Sequence, residues 1–316
     1  MIRNAAVAAF ALCATVAFAI SGIALVAQAK TTKVKATTKI GGCPVFPASN
    51  AWNKDVSKLP VSANSNAYIQ SIGLGDHLHA DFGSGRYGDY GIPFKVVSSK
   101  QKKVPINFTA YGDESDKGPY PIPGNVHIEG GGEGDSHVIV LQKGSCKLYE
   151  LYAAKKAGSG FSADSGAVFN LKSNKFRHAG WTSADAAGLP ILPGLARADE
   201  VKKGKITHAL RFTVSRSQAG YISPARHLAS SSNDASLPPM GLRLRMKAGF
   251  DISGYKGQAR IIMVALKRYG MIVADNGSDW YISGTPDKRW NDDDLDQLKS
   301  VPGSAFEAVD TGPIRR

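Results

Sequence analysis

Alternating apolar and polar residues run through most of the chain, and this pattern is typical of half-buried β-strands. Alternation or a β-rich composition marks segments at 104–111, 137–142, 146–154, 166–171, 208–214, 241–248 and 271–283, and 305–310 is predicted to form a final strand. Within 271–283, Asn276-Gly277 favours a two-residue type I′ hairpin turn, because both positions accept a positive φ. That register would pair Val273 with Trp280.

Two short helices interrupt the strand pattern. The apolar residues of 258–269 repeat at helical spacing, and Gly270 follows as a C-cap. A second helix is predicted to begin near Asn291, because the acidic run Asp292 to Asp294 favours the positive end of a helix dipole. We therefore interpret this run as a helix start and not as a metal site.

Residues 181–205 lack the period of a strand and combine turn residues with Trp, Leu and Ile. An apolar segment of this kind must pack, so we expect a structured crossover that lies over the sheet and walls a cleft. These elements predict a mainly β fold, a jelly-roll-like β-sandwich with one or two short helices and long cleft-forming loops.

The N-terminal residues predict export. Residues 5–26 are almost entirely apolar or small, follow Arg3 and end in Ala27-Gln28-Ala29, the layout of a secretory signal with its cleavage site. An uncleaved N-terminal anchor is the alternative, because the apolar run approaches the length that spans a bilayer. We predict a signal peptide at 1–29, a basic linker at 30–42, a single β-rich domain at 43–316, and a secreted or periplasmic location.

Cysteine usage agrees with export. Cys13 lies in the predicted signal, which leaves Cys43 and Cys146 for the mature chain. In an oxidising compartment we expect these two to form a disulfide, and closure of so long a loop stabilises by about 4 to 5 kcal/mol in the entropic model. The alternative is two unrelated buried thiols.

Charge adds a basic balance, with 39 Lys and Arg against 26 Asp and Glu and a formal net charge of +13. Every second residue of 242–247 is basic, so Arg243 and Arg245 would form a cationic ridge that suits an acidic polymer. An ordinary solvated sheet face is the alternative. No nucleic-acid motif with interleaved aromatic residues accompanies the ridge, so we expect no nucleic-acid partner.

Side chains with catalytic potential lie in the Gly-rich loop before 138–141. Glu129 and Asp135 are candidates for a general acid, a general base or a cation ligand beside His137. Glu150 shares a face with His137 if the turn near 143–145 has two or four residues, whereas a three-residue turn would separate them. The alternatives are a solvated hairpin loop and a cross-strand pair without catalysis.

Further candidates lie on the predicted strand 208–214 and after it. His208 faces the apolar side, where an imidazole is more often a hydrogen-bonded core residue than a catalyst, and Arg211 faces the other side. Arg226 and His227 fall in a predicted loop with better access to a ligand.

A metal-like spacing at His77 and His79, H-x-H-x-D, lacks the buried strand and the further His of metallo-hydrolases. We predict no metal and no cofactor.

Three phrases, Trp181 to Pro190, Tyr269 to Gly277 and Trp290 to Asp293, resemble an uncharacterised family of secreted bacterial proteins. The resemblance extends over most of the chain from Cys43 onward. It implies secretion and a single domain, but it carries over no activity and no catalytic residue.

Predicted export, a strand-rich body, a basic segment and surface aromatic candidates such as Trp181 and Trp280 together favour a carbohydrate ligand. We expect a secreted carbohydrate-active enzyme that acts on a polysaccharide or cell-wall glycan, with an acidic glycan favoured. The alternative is a non-catalytic extracellular protein that binds a glycan or the cell wall. Apart from the possible N-terminal anchor, we expect no membrane contact.

Two chemistries fit the candidate residues. A hydrolase would use the carboxyl group of Glu129, Asp135 or Glu150. A lyase would use Arg211 or Arg226 to neutralise a uronate while His137 or His208 takes the proton.

Overall fold

The fold is built mainly from short β-strands, and the mainly β class is confirmed. The computed structural model describes residues 38–316, so the predicted signal peptide and most of the predicted linker lie outside the described residues. The strands are β1 (Lys39–Ile40), β2 (Cys43–Pro44), β3 (His79–Asp81), β4 (Phe94–Val97), β5 (Ile106–Phe108), β6 (Val138–Gln142), β7 (Lys147–Tyr152), β8 (Lys155–Ala157), β9 (Gly160–Ala163), β10 (Ser165–Asn170), β11 (Leu210–Val214), β12 (Arg243–Met246), β13 (Met271–Asn276), β14 (Tyr281–Ser283) and β15 (Phe306–Val309). The helices are α1 (Ser65–Ile72), α2 (Ala198–Lys202), α3 (Gly257–Arg268) and α4 (Asp292–Asp296).

Two larger sheets organise these strands. One has six strands in the order β15-β12-β13-β11-β14-β3, and the other has four in the order β10-β7-β6-β4. Smaller sheets are formed by β5-β9-β8 and by β1-β2. The jelly-roll arrangement is not confirmed: such a fold is antiparallel, whereas β11 with β13, β14 with β3, β4 with β6, and β5 with β9 are parallel pairs.

Alternate side chains of β6 enter two different cores. Ile139 and Leu141 belong to the main hydrophobic core, which also contains the inner faces of the six-stranded sheet and α3. Val138 and Val140 point the other way and pack in a smaller cluster with Phe161 of β9. The four-stranded sheet is therefore covered on both faces, which explains why β6 is buried at every position.

The predicted hairpin at Asn276-Gly277 is wrong. Its two arms, β13 and β14, do not pair with each other, because β11 lies between them. β11 is parallel to β13 and antiparallel to β14. The connection over 277–280 crosses the end of β11, where Asp279 accepts hydrogen bonds from the backbone and hydroxyl of Ser215 at 2.7 and 2.6 Å.

Both predicted helices are present. α3 buries one face, including Ile262, Met263 and Leu266, against the six-stranded sheet, and Gly270 follows with a φ of +65°. A Cβ at Gly270 would lie 2.0 Å from the carbonyl oxygen of Leu244, so this position requires glycine.

The acidic run at 292–294 begins α4, as predicted. The side chain of Asn291 caps the helix by accepting hydrogen bonds from the backbone N–H groups of Asp293 and Asp294. The predicted strands were close to observed ones, but several elements were not anticipated from the residue pattern: α1, α2, β1 to β4, β8 and β9.

The cationic ridge expected on β12 is not exposed. Arg243 and Arg245 are 3% and 9% exposed. Nη1 of Arg245 donates to the carbonyl oxygens of Val56 and Leu59 at 2.6 and 2.8 Å, and Nε contacts Glu307 at 2.7 Å. The two interpretations of the alternation, a cationic ridge and a solvated sheet face, both assumed that this face of β12 is exposed. The chain before α1 covers it instead.

The predicted disulfide is confirmed. Cys43 and Cys146 are joined by an S–S bond of 2.06 Å across 103 residues of sequence. It links β2 to the turn that precedes β7. Lys39 and Ile40, which the sequence assigned to the linker, pair with Pro44 and Cys43. Among residues 38–316, no helix is long and apolar enough to cross a membrane.

Candidate functional site

A cavity of about 330 Å³ opens at the C-terminal end of β13. It is lined by chain segments that are far apart in sequence. Its side chains with polar atoms include Tyr111, Asp135, Tyr152, Thr182, His227 and Asp275. We call it the Asp275 cavity.

Asp275 is held at the cavity wall by a buried ion cluster. Arg211 on β11 donates through Nε and Nη2 to the two carboxylate oxygens of Asp185 at 2.9 and 2.8 Å. The same guanidinium contacts Asp275 at 3.4 Å and donates to the hydroxyl of Ser283 at 2.6 Å. Asp185 is fully buried on the 181–205 segment. Arg211 therefore has its donors engaged within the protein and acts as a positioning residue.

The environment of Asp275 favours its protonated form. Burial, followed by the neighbouring charge of Asp185, raises the pKa of Asp275 to about 7, although Arg211 opposes the shift. The side chain is still 24% exposed, so it can exchange protons with a ligand in the cavity. A carboxyl group with a pKa near neutrality at a cavity wall fits a general acid.

His137 and Glu129, predicted from the Gly-rich loop, form a buried pair beside this cluster. Nδ1 of His137 bonds to the carboxylate of Glu129, and Nε2 donates to the carbonyl oxygen of Ala184 at 3.0 Å. Burial opposes protonation, but the hydrogen bond to Glu129 and its charge outweigh this and raise the pKa of His137. Both ring nitrogens face acceptors, an arrangement that favours the protonated imidazole over the neutral one.

Glu129 has the opposite shift to Asp275. Burial alone would raise the pKa of Glu129, but its hydrogen bonds from His137 and the charges of His137 and Arg211 hold it below the usual value. The pKa of Glu129 is thus lowered and that of Asp275 is raised, although the charge of Arg211 favours the ionised form of both.

Glu150 shares a face with His137, as the four-residue turn required. Gln142 pairs with Lys147, so the turn has four residues, and Ile139 pairs with Glu150. The side chains of His137 and Glu150 therefore both lie on the inner face. Glu150 is completely buried and accepts hydrogen bonds from the backbone N–H groups of Ile191 and Leu192. Burial raises the pKa of Glu150 to about 7 despite these bonds. It supports the 181–205 segment and does not line the cavity.

Asp81 extends the acidic cluster across the sheet. It lies on β3 in register with Ser283, the partner of Arg211. Burial raises the pKa of Asp81, and the charges of Glu129 and Asp135 add to the shift. The surroundings of the cavity are therefore acidic, and their main cations, Arg211 and His137, are internally paired.

The other predicted site residues fall outside this cluster or at its rim. His208 is buried and contacts Glu200 at 3.0 Å and the carbonyl of Ala209 at 2.7 Å, as expected of a core histidine. His227 lines the cavity and donates from Nδ1 to the carbonyl of Ala186 at 2.8 Å. Arg226 donates to the carbonyl of Arg177 at 3.1 Å.

The tryptophans differ in exposure. Trp280 is fully buried, packs on Phe306 and donates from its indole nitrogen to the carbonyl of Gly73 at 2.9 Å, so its expected exposure is wrong. It lies at the turn that crosses β11, where the predicted hairpin would have left it on a sheet face. Trp181 is partly exposed and packs against His178.

Sequence reasoning missed Asp185 and Asp275 as members of the site. A signal for Asp185 was present, because an acid among the apolar and small residues of a segment that must pack needs a cationic partner. Asp275 was missed because the predicted hairpin placed it next to a turn and not at a cavity wall. Among residues 38–316, no group of three or more His, Cys, Asp or Glu side chains is arranged to hold a metal ion.

No family model matches the chain, and no curated protein or solved structure shows significant similarity to it. The geometry of the site must therefore carry any statement about function.

Proposed function

We propose that the protein is a secreted glycoside hydrolase in which Asp275 is the general acid. The observation that carries the proposal is the Asp275 carboxyl group, whose pKa is raised to about 7 at the wall of a cavity that also presents Asp135. Glycoside hydrolysis commonly uses two carboxyl groups, one of which enters the reaction protonated.

The proposed reaction assigns one role to each carboxyl group. Asp275 donates its proton to the leaving oxygen as the glycosidic C–O bond breaks. Asp135 supplies the second carboxyl group, either by taking a proton from the attacking water or by attacking the anomeric carbon itself. In the first case water adds directly, and in the second it hydrolyses the glycosyl ester. Arg211 and Asp185 hold Asp275 in place.

The lining favours a neutral or amino-sugar glycan over the acidic glycan expected from the net charge. Asp135 and Asp275 face the cavity, and Glu129 and Asp81 lie close enough to affect each other's pKa. The negative charge of a uronate would be repelled by these carboxylates. Arg211 would not neutralise it, because this guanidinium is already paired with Asp185. The same pairing argues against a lyase in which Arg211 neutralises the substrate.

Compartment and aromatic side chains add support. The Cys43–Cys146 disulfide suits an oxidising compartment, in agreement with the predicted signal peptide. Tyr111 and Tyr152 line the cavity, and tyrosine rings pack well against sugar faces.

The test is incubation with chitin, chitosan, xylan and pectin, followed by assay of new reducing ends. We expect products from a neutral or amino-sugar polymer, with activity that falls as the pH rises through about 7. Asp275→Asn should lower kcat by about 10²- to 10⁴-fold, whereas Asp113→Asn, at an exposed position that does not line the cavity, should not. The proposal fails if no polymer yields products or if Asp275→Asn retains wild-type activity.

Non-catalytic glycan binding is the second candidate, and a separate cavity favours it. This cavity, of about 350 Å³, lies next to β3 and includes Tyr87 and Tyr90, which are 60% and 55% exposed. Retention on an insoluble glycan that Tyr87→Ala abolishes, with no products from any polymer, would favour this function.

A further inference from the structure

A third cavity, of about 270 Å³, lies against β12 and β13 of the six-stranded sheet. It shares no lining residue with the Asp275 cavity. Arg243 of β12 and Ile272 of β13, which pair across the sheet, contribute to its wall. Lys54 and Phe176 line it as well and are exposed to solvent. We call it the Arg243 cavity.

The guanidinium of Arg243 is buried without a counter-charge. Its Nη2 donates to the carbonyl oxygen of Ala51 at 2.6 Å, but Nε and Nη1 are buried and have no partner among the described residues. The side chain is only 3% exposed. By contrast, Arg211 and Arg245 each have a carboxylate partner. Buried charges are normally paired, so the unpaired donors of Arg243 indicate a ligand.

A second orphaned polar atom lines the same cavity. The hydroxyl of Thr311 is buried and has no hydrogen-bond partner among residues 38–316. Ser49 and Ser223 add two further hydroxyl groups, and Lys54 adds a second cation. No acidic side chain belongs to the lining. The lining of this cavity thus combines several hydrogen-bond donors with two positive charges.

The remaining walls are apolar. They are formed by Ala51, Val56, Phe176, Pro224 and Ile272. A guanidinium N–H suits an oxygen of a carboxylate or a phosphate, and apolar walls accept a ring or an aliphatic body. Burial lowers the pKa of Arg243 to about 9, as expected for a cation without a counter-charge.

We propose that the Arg243 cavity binds a small organic anion, with its carboxylate or phosphate group on Arg243 and its apolar body against Phe176 and Ile272. This site is independent of the proposed hydrolase chemistry, because none of its residues belongs to the Asp275 cavity.

The test uses benzoate and phenyl phosphate as probes and benzyl alcohol as the uncharged control, with binding measured by calorimetry and ligand-observed NMR. We expect saturable binding of at least one anion and none of the alcohol. The preferred anion identifies a planar or a tetrahedral head group. Failure of both anions to saturate the wild-type protein would overturn the proposal.

Variants locate the site. Arg243→Met should weaken anion binding roughly 30-fold or more, since it removes one partner of a desolvated charge pair. Lys247→Met removes an exposed charge beside the same strand, outside the cavity, and should leave binding unchanged. Equal binding by the wild-type protein and Arg243→Met would contradict the assignment.

Folding does not limit this test. Arg243→Met removes an unpaired buried charge and should fold at least as well as the wild-type protein. If it does not fold, Thr311→Val and Lys54→Met probe the same cavity from two other sides. Each should weaken binding several-fold, and wild-type affinity in both would likewise overturn the proposal.

Discussion

Replacing Glu150 by Gln should remove the contribution of this side chain to the pH dependence of folding. Glu150 is completely buried, and burial raises its pKa from 4.5 to about 7 in the folded protein. Folding therefore takes up a proton, so the stabilisation present below about pH 4.5 is lost as the pH rises through about 7. A shift of this size corresponds to about 3 kcal/mol, of which about 2 to 3 kcal/mol falls between pH 5 and pH 8.5.

Gln stays neutral at every pH, and its Oε1 can still accept the two backbone N–H groups of Ile191 and Leu192. The assay is urea denaturation at pH 5 and pH 8.5, with the free energy of unfolding compared between the two. The wild-type protein should lose about 2 to 3 kcal/mol more than Glu150→Gln over this interval. Glu133→Gln, at an exposed position, controls for the substitution itself. The reasoning is refuted if Glu150→Gln and the wild-type protein have the same pH dependence.

Three further predictions concern stability, each measured as the free energy of unfolding. Cys43→Ser opens the disulfide that closes a loop of 103 residues and should cost about 4 to 5 kcal/mol, and a cost below 1 kcal/mol would contradict the entropic model. Asn291→Ala removes the cap of α4 and should cost about 1 kcal/mol, whereas Asn291→Asp should restore it. Trp280→Ala should cost about 3 to 5 kcal/mol because the ring is fully buried, and an unchanged denaturation midpoint would show that the packing is dispensable.

Local patterns predicted where several strands and helices lie, but they did not predict which strands pair with each other. The helical spacing before Gly270 and the strands around His137 and Glu150 follow from side-chain periodicity, which is a local property. The separation of β13 from β14 does not follow from periodicity, because β11, which lies between them, comes from a segment that precedes them by more than fifty residues. Asn-Gly favours a tight turn, but the hydrogen bonds that β11 makes to both strands outweigh that preference.

Alternation likewise predicted which residues of β12 share a face, but not what covers that face. Arg243 and Arg245 point to the same side, as expected, yet the chain before α1 crosses over them. Burial of a charged face depends on a partner distant in sequence. This is why the arginines were assigned to the right surface of the sheet but the wrong environment.

The candidate site was recovered in part. Arg211, His137 and Glu129 were identified by residue type and position, and the structure places them beside one cavity. Asp275 was missed because its importance comes from a raised pKa, which depends on burial and on Asp185. Such shifts arise only when segments distant in sequence come together.

The position of β11 has a consequence for the order of folding. Its neighbours, β13 and β14, are both synthesised after it, and the chain must reach Ser283 before both edges of β11 can be covered. Before β13 is synthesised, β11, with Leu210, Phe212 and Val214 on its apolar face, has two open edges on which another chain could add. The centre of the largest sheet is thus completed late, and chains truncated before β13 should aggregate through β11.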